Sequence, residues 1–596
     1  MKTLGAAALA TGLLTASCAG NGLNSAGPPL GSLQNGAPAL GAQQTRVSAA
    51  VAAPAGWAAT ATQGLKIKNA ADGGSAPASQ SITVHVGLQL QNVSQLKSGV
   101  ASGQVIDSGT FLSKYAPTTA QAAAVTSYLQ SKGFTNVTTE PDHLIVSGTG
   151  TIAQAQSAFN TSIHSFSGGG FGFIANISPA YVPQSLAGTV VAVVGLNNMQ
   201  AFGTKTQVTN CSIFGVATPP QACLRWYDPS TFQVAYHAGT TPTGKNTAVA
   251  IMAEGNVTQS ISDFRLNEQK DSLPYVPVQV IHVGLQSTDT AAVGEWTLDM
   301  TYSSGIAQAL KAIYLYDTTS LTDSDIALEY SKWVTQGYSK IGNSSFGGCE
   351  FFPFLDGSMV LDDETLLEGA SKGMTMFASS GDNGGFCNNF VDTNGVPGGA
   401  PFVMYPAASP YVVAVGGTEL YTNANASYKG EDVWPAGGGG LSQFEYSPYW
   451  EQPAQPVSSN VVSDRGVPDV AMDAGLGPIG NAIIYSNQQA INGGSCNSGC
   501  ITGGTSLASP LSAGIYARMQ TAHANALGFA APLLYKDFYE HTAGAILPGP
   551  PATRPYGGFH DILQGSNGSY TALPGYDYAT GLGSFDISIM NSQIGH

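Results

Sequence analysis

The pattern of apolar and polar positions predicts a small domain in the first third of the chain, in which strands alternate with helices. Residues 82–86 alternate between apolar and polar side chains, as a half-buried strand does. A stretch with helical spacing begins near Thr118 and ends at Gly133, a residue type that commonly follows a helix. The other elements are predicted as strands at 143–147 and 190–194 and a helix at 151–159.

A second, larger domain is predicted by further apolar strand runs. Helical patterns separate these runs, and this interleaving indicates a parallel sheet covered on both faces. The runs lie at 247–252, 278–283, 312–316, 374–379 and 411–415. We therefore expect a large α/β domain with a doubly wound parallel sheet.

Two segments lack sustained periodicity. Residues 19–80 are rich in Ala, Gly, Ser and Gln, a composition typical of linkers. Residues 199–224 hold few apolar runs and contain Pro219-Pro220. The predicted domains are therefore 81–198 and 225–596, joined by a connecting segment at 199–224.

The first 18 residues resemble an export signal. Met1-Lys2 gives a positive start, and the apolar stretch from Leu4 to Ala16 is too short to span a membrane. The stretch ends in a loose form of the bacterial lipobox, in which Thr15 stands where an aliphatic residue is usual before Cys18. Ordinary signal cleavage is the alternative to a lipid on Cys18. We predict an extracellular protein, either secreted or anchored at the outer membrane as a lipoprotein.

Composition and charge narrow the classes of function. Of 596 residues, 10% are charged, against about 25% in typical soluble domains, which does not suit a nucleic-acid binder, a coiled coil or a charged disordered chain. No apolar run beyond the N-terminus approaches the roughly 20 residues of a membrane-spanning helix. Residues 1–209 carry a net charge of +4 and residues 210–596 a net charge of −20. Opposite charges favour docking of the two parts; independent modules are the alternative.

Six cysteines remain after Cys18, and in an exported chain they are expected to form disulfides. Many pairings are open, and only sequence spacing favours neighbours. The favoured pairs are Cys211 with Cys223, Cys349 with Cys387, and Cys496 with Cys500. A zinc site at these cysteines is less favoured, because no Cys-x2-Cys pair or nearby histidine accompanies them.

A serine at a predicted helix start is the first candidate for catalysis. Ser506 follows Gly503-Gly504-Thr505 and precedes an apolar helical pattern at 511–519. Backbone N–H groups and the positive end of the helix dipole stabilise an oxyanion at such a position. An ordinary N-cap serine is the alternative. None of the nine histidines lies in a His-Gly-Thr helix start of the subtilisin type, so the general base is predicted to be another residue.

Two carboxylates four residues apart offer that base. On a helix Glu295 and Asp299 lie on one face, and the apolar residues around them indicate that the helix is largely buried. Two close, buried carboxylates share a proton, and one pKa rises. Asp382 follows the apolar run at 374–378 in a Gly-rich turn, where α/β proteins place their sites. The alternatives are a solvated acidic helix face and an Asx-turn.

These four residues and the sequence around them resemble the sedolisin family, the serine-carboxyl peptidases that include kumamolisin. The resemblance covers about residues 82–590, and it implies a subtilisin-like catalytic domain preceded by a small ferredoxin-like activation domain. Further motifs agree in the same order, namely Ser345-Phe346-Gly347-Gly348, Tyr405-Pro406-Ala407-Ala408-Ser409-Pro410-Tyr411-Val412, Val415-Gly416-Gly417-Thr418, Gly438-Gly439-Gly440-Leu441-Ser442 and Pro468-Asp469-Val470-Ala471. Several independent motifs are far more specific than any one of them.

The resemblance also implies a role for each residue. Ser506 would be the nucleophile, and Glu295 its general base. Asp299 would set the protonation of Glu295, and Asp382 would donate to the oxyanion from a protonated carboxyl. Since an unperturbed carboxyl pKa is about 4, such a site is expected to work in acid. The residues expected to bind substrate are Ser345, Phe346 and Gly347.

The C-terminal stretch at 559–577 resembles the calcium site of the family. The implied ligands are Asp561, the carbonyls of Ile562, Leu573 and Gly575, and Asp577. This all-oxygen shell suits one Ca²⁺ ion. Leu573 stands where relatives usually have glycine, which makes it the least secure ligand. Aspartates that cap turns are the alternative.

Residues 82–195 resemble the family's activation domain, an intramolecular chaperone and inhibitor until it is cleaved. We therefore expect a monomeric zymogen that is processed within 199–224, is inhibited by its own propeptide, and acts as an endopeptidase on protein or peptide substrates. The activation domain is positively charged and the catalytic domain is acidic, which suggests that acid weakens the docking of the two domains. The alternatives are a catalytically silent surface lipoprotein, a histidine-dependent subtilisin-like peptidase and a tripeptidyl-peptidase.

Overall fold

The computed structural model describes most of the chain outside the N-terminus. The described residues are 53–65, 67, 70–168, 171–200, 203–204, 207–210, 226–386, 402–455, 464–476, 480–487, 489–491, 494–497, 499–542 and 557–595. The predicted export signal, the larger part of the predicted linker, and Cys211, Cys223 and Cys387 lie outside them. Within the described part, no helix is both long and apolar enough to cross a lipid bilayer.

The first domain carries two small antiparallel sheets, a two-stranded ribbon and four α-helices. Its strands are β1 (Trp57–Ala59), β2 (Ala71–Ser75), β3 (Ser81–Leu88), β4 (Thr135–Thr139), β5 (Ile145–Thr151), β6 (Ile163–Gly168), β7 (Phe171–Asn176), β8 (Tyr181–Pro183) and β9 (Val190–Val194). Its helices are α1 (Val93–Ala101), α2 (Ser108–Lys114), α3 (Thr119–Ser131) and α4 (Ile152–Phe159), with a 3₁₀ turn at Gln184–Leu186. The strand order β4-β5-β3-β9, with α3 and α4 as the connecting helices, is that of a ferredoxin-like sheet.

Local chemistry explains where the helices of this domain begin. Thr118 and Thr151 each cap a helix. The threonine hydroxyl accepts from the backbone N–H of the glutamine three residues on, and the side chain of that glutamine accepts from the backbone N–H of the threonine. Alternating apolar residues of β3, such as Val84 and Val86, lie in the core between the sheet and these helices.

The predicted linker at 19–80 extends too far towards the C-terminus. Strand β1 pairs with β8, and β2 pairs with β6, so residues 57–59 and 71–75 contribute to the first domain. Apart from Trp57, these short strands consist of small and polar residues, and backbone hydrogen bonds pair them with their neighbours. Backbone pairing leaves little trace in composition, which is why the sequence pattern of 57–75 is that of a linker.

The second domain contains the remaining elements. Its strands are β10 (Gly203–Thr204), β11 (Gln207–Asn210), β12 (Trp226–Tyr227), β13 (Ala248–Glu254), β14 (Val278–His282), β15 (Ala312–Thr318), β16 (Ile341–Ser344), β17 (Phe346–Cys349), β18 (Thr375–Ser379), β19 (Met404–Tyr405), β20 (Val412–Thr422), β21 (Tyr428–Val433), β22 (Gly440–Tyr446), β23 (Asp464–Val467), β24 (Val470–Asp473), β25 (Asn481–Ile484), β26 (Gln489–Ile491), β27 (Gly494–Ser495), β28 (Cys500–Gly503), β29 (Phe559–His560) and β30 (Ser584–Phe585). Its helices are α5 (Pro229–Ala235), α6 (Thr258–Lys270), α7 (Val293–Ala307), α8 (Asp323–Gln336), α9 (Phe351–Asp356), α10 (Ser358–Ser371), α11 (Thr505–Ala522), α12 (Ala530–Thr542) and α13 (Ile587–Gln593).

A central, mainly parallel sheet organises this domain. Its order is β14-β15-β13-β16-β18-β20-β21, with β24 also paired to β20, and only β21 runs antiparallel to its neighbour. The order reverses direction along the chain, as in a doubly wound fold, and helices α7 and α11 pack against each other beside the sheet. The predicted α/β class with a subtilisin-like parallel sheet is confirmed.

The two domains dock through α1 and β9 of the first and α10 of the second. The side-chain amide of Gln89 and the backbone N–H of Leu90 donate to Glu364 at 2.5 and 3.1 Å. At one end of the interface, the N–H of Ile106 donates to the carbonyl of Ser371 at 2.9 Å. Glu364 is buried by this contact, so the interface holds acidic groups away from water.

Candidate active site

Ser506 lies at the second position of α11, and the glycines before it make that placement possible. Gly504 has a φ of 100°, a backbone conformation that other residues rarely adopt. A Cβ on Gly503 would lie 2.4 Å from the carbonyl oxygen of Gly475, so this strand end accepts no side chain. Ser506 is therefore held at the positive end of a long buried helix.

Helix α7 brings the predicted pair of carboxylates against the same helix. Glu295 and Asp299 are 3% and 0% exposed. The two helices cross closely at Gly514, where a Cβ would lie 2.3 Å from the carbonyl oxygen of Ser303. The close crossing fixes the face of α7 that carries the carboxylates relative to the start of α11.

A chain of hydrogen bonds connects Ser506 to Asp299 through Ser345. The Ser506 hydroxyl donates to the carbonyl of Ser345 at 3.1 Å, and the Ser345 hydroxyl donates to Asp299 Oδ1 at 2.6 Å. Asn343 donates to the Ser345 hydroxyl at 2.9 Å and accepts from Ser509 at 2.7 Å. Ser345 thus links the nucleophile's helix to the carboxylate's helix at the end of β16.

Burial and the negative charge of Glu295 raise the pKa of Asp299 well above its usual range, against hydrogen bonds from Ser345 and Asn343. Two carboxyl groups that repel in this way hold one proton between them. The expected exchange of a proton within the Glu295–Asp299 pair is therefore chemically reasonable at this site.

Asp382 lies at the carboxyl end of β18, against the first turn of α11. Its Oδ1 accepts from the backbone N–H and from the hydroxyl of Thr505, both at 2.8 Å. The N–H of Gly381 in turn donates to the Thr505 hydroxyl at 3.1 Å. Thr505 directly precedes Ser506, so these hydrogen bonds hold Asp382 beside the nucleophile. In the sequence, nothing marks this role of Thr505 except its position next to Ser506.

The predicted substrate-binding residues have unequal roles in the structure. Phe346 and Gly347 lie in β17, whose backbone pairs antiparallel with β10, so that Thr204 lies opposite Phe346 and Gly203 opposite Gly347. The Ser345 side chain instead bonds to Asp299. Sequence reasoning missed the contribution of Ser345 and Asn343 to the Asp299 environment, because small polar residues at a strand end carry no such signal.

The predicted calcium ligands come together in one loop region. Asp561 accepts from the N–H of Gly575 at 3.1 Å, and Asp577 accepts from the N–H groups of Leu573 and Ala579, both at 2.8 Å. Burial and the charge of Asp577 raise the pKa of Asp561 to about 7. A divalent cation would relieve this repulsion. Leu573 is not among the residues with positive φ, so its backbone does not require the glycine usual in relatives.

One of the three predicted disulfides lies within the described residues. Cys496 and Cys500 form a disulfide, and Cys349 is also disulfide-bonded. The partner predicted for Cys349, Cys387, lies outside the described residues, as do Cys211 and Cys223.

The alternative with a histidine base finds no support in these contacts. Six histidines make hydrogen bonds within the described residues, and in each case the partner is a group other than Ser506. The pairs are His85 with Ser147, His143 with the Pro117 carbonyl, His164 with Asp72, His237 with Asp586, His282 with Asp317, and His541 with the Asp537 carbonyl.

The family models and the relatives that match this chain agree on one class of protein. A family model described as "Pro-kumamolisin, activation domain" matches residues 68–199, and one described as "Subtilase family" matches residues 281–573. Sedolisin from Pseudomonas sp. (strain 101) is 33% identical over 549 residues, which cover 87% of this chain and 88% of sedolisin. Xanthomonalisin from Xanthomonas sp. (strain T-22) is 32% identical over 567 residues, which cover 85% of this chain and 65% of that protein.

A solved structure agrees with these relatives. Pseudomonas sedolisin, a serine-carboxyl proteinase complexed with two molecules of pseudo-iodotyrostatin, matches with a TM-score of 0.53 and 32% identity, over 62% of this chain and 97% of that chain. The fold and the comparisons together define a serine-carboxyl peptidase made with an activation domain. The chain belongs to the sedolisin family.

Proposed function

We propose that this peptidase is an exported, acid-acting serine endopeptidase that uses Ser506, Glu295, Asp299 and Asp382. The observation that supports it most is the hydrogen-bonded connection from Ser506 through Ser345 to Asp299, beside the buried Glu295. The buried carboxyl groups, rather than a histidine, are the proton-transfer groups near the serine.

Each residue has a defined step in this proposal. Ser506 attacks the peptide carbonyl while Glu295 takes the hydroxyl proton and then gives it to the leaving amine. Asp299 keeps a proton because of its raised pKa, and through this proton it donates a hydrogen bond to ionised Glu295, which keeps the base oriented. Asp382, with Oδ1 bonded to Thr505, donates from its other oxygen to the developing oxyanion.

The proposal also includes self-processing in the segment that follows the activation domain. Strand β10 pairs with β17 so that Thr204 lies opposite Phe346, and β11 pairs with β28 so that Gln207 lies opposite Gly503. Ser345 directly precedes Phe346 and accepts from the Ser506 hydroxyl. The described flanks thus approach the nucleophile from both sides, so we place the cleaved bond between Thr204 and Gln207.

Peptide hydrolysis across pH tests the mechanism. We expect wild-type activity to peak in acid, and Ser506→Ala and Glu295→Gln to lower kcat by about 10³-fold or more, as loss of a triad member does. Glu254→Gln is a matched control, because burial raises the pKa of Glu254 to about 7, and this residue is not part of the proposed machinery. A neutral optimum that survives Glu295→Gln would overturn the proposal.

The products of the same reaction distinguish the modes of cleavage. Mass spectrometry of a long peptide should show internal cuts, whereas serial release of tripeptides would indicate a tripeptidyl-peptidase. Acidified precursor should yield a mature chain that begins within 205–207, and the Ser506→Ala precursor should stay intact.

We propose a calcium ion as the ligand of the C-terminal loop. Asp561, Asp577 and the carbonyls of Ile562, Leu573 and Gly575 would hold it, and it would stabilise the loop without taking part in the chemistry. Removing calcium with a chelator should lower the melting temperature, and added Ca²⁺ should restore it. Asp561→Asn should lose this response, while the control Asp432→Asn, at a half-buried position outside the proposed ligand set, keeps it.

Export and lipid attachment complete the proposal. The disulfides at Cys349 and Cys496–Cys500 support an oxidising compartment. Labelled palmitate incorporated by wild type and not by Cys18→Ala would indicate a lipoprotein; a mature form without label would indicate secretion.

A further inference from the structure

Outside the active site, two histidines and an aspartate converge where the two ends of the catalytic domain meet. His237 follows α5, His560 lies in β29, and Asp586 caps α13. His237 Nδ1 lies 2.5 Å from Asp586 Oδ2, and His560 Nε2 lies 3.9 Å from the same oxygen. The three potential ligand atoms all lie within 4.8 Å of one another.

Backbone hydrogen bonds hold the three segments together independently of these side chains. His560 pairs with Ser584 in the β29–β30 ladder, and the N–H of Asp586 donates to the carbonyl of Gly558 at 2.8 Å. The N–H of Ile587 donates to the carbonyl of Tyr236 at 2.9 Å, which fixes the residue before His237. The arrangement is therefore preformed, and it does not depend on the His–Asp contact.

The side chains are oriented as well. The His560 ring stacks on Tyr428 with centroids 3.9 Å apart and 12° between the planes. Asp586 Oδ1 accepts from the N–H of Ile589 at 3.0 Å, which leaves Oδ2 directed at the histidines. Such supporting contacts are what orient metal ligands in known sites.

One atom of the cluster has no partner that the fold supplies. His560 is 6% exposed, and its Nε2 is buried and makes no hydrogen bond among the described residues. A buried polar nitrogen without a partner is unfavourable by itself. It lies next to the Asp586 oxygen and directed into the cluster, as a metal ligand would.

The donor set selects the class of ion. Two imidazoles and one carboxylate suit zinc and similar transition metals, whereas calcium and magnesium prefer oxygen ligands only. Ligands of tetrahedral zinc lie about 2.0–2.1 Å from the ion and hence about 3.3 Å from one another, so the present separations would adjust by about 1.5 Å at most. His237 is 47% exposed in its side chain, which leaves the fourth position open to water.

We propose that His237, His560 and Asp586 form a zinc site that joins the start and the end of the catalytic domain. Zinc would replace the direct His237–Asp586 contact, satisfy His560 Nε2, and connect residues that are 349 positions apart in the chain. Its role would be to stabilise the fold, since the site includes none of the proposed catalytic residues.

Metal titration of the full-length Ser506→Ala precursor tests this site, because the variant stays uncut. The protein is stripped with a chelator, saturated with Ca²⁺ to fill the oxygen site, and titrated with Zn²⁺ at neutral pH in a calorimeter. We expect one equivalent of zinc, a higher melting temperature on binding, and intense visible bands when Co²⁺ takes its place. His237→Ala, at a partly exposed position, should weaken zinc binding by about 100-fold or more.

A matched histidine elsewhere provides the control. His282 contacts Asp317 at 2.7 Å and is 45% exposed in its side chain, but it lacks a second histidine. His282→Ala should therefore leave zinc binding unchanged. The proposal is overturned if the stripped protein binds no zinc, or if His237→Ala, shown to be folded by its melting temperature without zinc, binds it as tightly as the parent.

Discussion

Buried carboxyl groups occur in two regions of this molecule, the active site and the interface between the activation domain and the catalytic domain. In both regions burial raises the pKa of an acidic side chain, as it does for Asp299 and for Glu364. In the active site the retained proton is part of the proposed chemistry. At the interface the same kind of shift is expected to make domain docking depend on pH.

At the interface, burial raises the pKa of the carboxyl groups even where a lysine lies nearby. Burial raises the pKa of Glu364 to about 8, although Leu90 donates to it and Lys97 lies nearby. Asp142 of the activation domain and Glu368 of α10 approach each other, and burial raises the pKa of both, although Lys372 pairs with Glu368. We therefore expect docking to take up protons.

The pH dependence of docking expected from these pKa shifts is opposite to the one expected from net charge. A carboxyl group with a docked pKa of about 8 and a usual value of 4.5 favours docking fully below about pH 4.5, and this contribution is lost as the pH rises through 8. Acid therefore strengthens this part of the interface. We therefore expect acid to release the enzyme through peptide cleavage in the proposed active site, and not by loosening the docked domains.

The largest expected effect lies on the active-site side of the comparison. Asp299→Asn removes the proton-holding carboxyl while it keeps the size of the side chain, and it should lower kcat by about 10³-fold. Docking should be unaffected, because Asp299 lies away from α10. The measurement is single-turnover peptide hydrolysis with the concentration of active enzyme determined by titration. Undiminished kcat would show that Glu295 works without its neighbour.

On the interface side, docking should be tighter in acid. The precursor with Ser506→Ala, cut at a foreign protease site inserted between Thr204 and Gln207, leaves the two domains joined only by their contacts. We expect the dissociation constant to be at least about tenfold lower at pH 5 than at pH 8.5, since one pKa unit corresponds to a tenfold change. Equal or weaker docking in acid would restore the charge-attraction hypothesis.

Replacing a single interface carboxyl should flatten that pH dependence. Glu364→Gln is permanently neutral and still accepts from Leu90, so the tightening between pH 8.5 and pH 5 should shrink by about tenfold. Asp142 and Glu368 should supply the part that remains. Glu540→Gln, in an exposed pair with Lys536, is the control that leaves the pH dependence unchanged. If both variants behave alike, Glu364 is not the group that titrates.

The same comparison shows what sequence can reveal. The i, i+4 spacing of Glu295 and Asp299 and the glycines before Ser506 are local features, and the structure places these residues on buried helices that pack together. The contact of Ser345 with Asp299 joins residues 46 positions apart and is set by how β16 meets α7. The raised pKa of Glu364 reflects its burial beside Leu90 of the other domain, a long-range contact that net charge does not reveal.

The smallest expected effect is that of a substitution at Ser345, which distinguishes the role of its backbone carbonyl from that of its hydroxyl. Its backbone carbonyl accepts from Ser506, while its hydroxyl donates to Asp299 and lowers the pKa of that carboxyl relative to burial alone. Ser345→Ala keeps the backbone contact and removes only the hydroxyl. We expect the pKa of Asp299 to rise further and kcat to fall by about tenfold, the value of one hydrogen bond to a charged group. KM should stay nearly constant, because the strand residues Phe346 and Gly347, which are predicted to bind substrate, are unchanged. A rise in KM with kcat unaltered would instead show that the Ser345 side chain binds substrate.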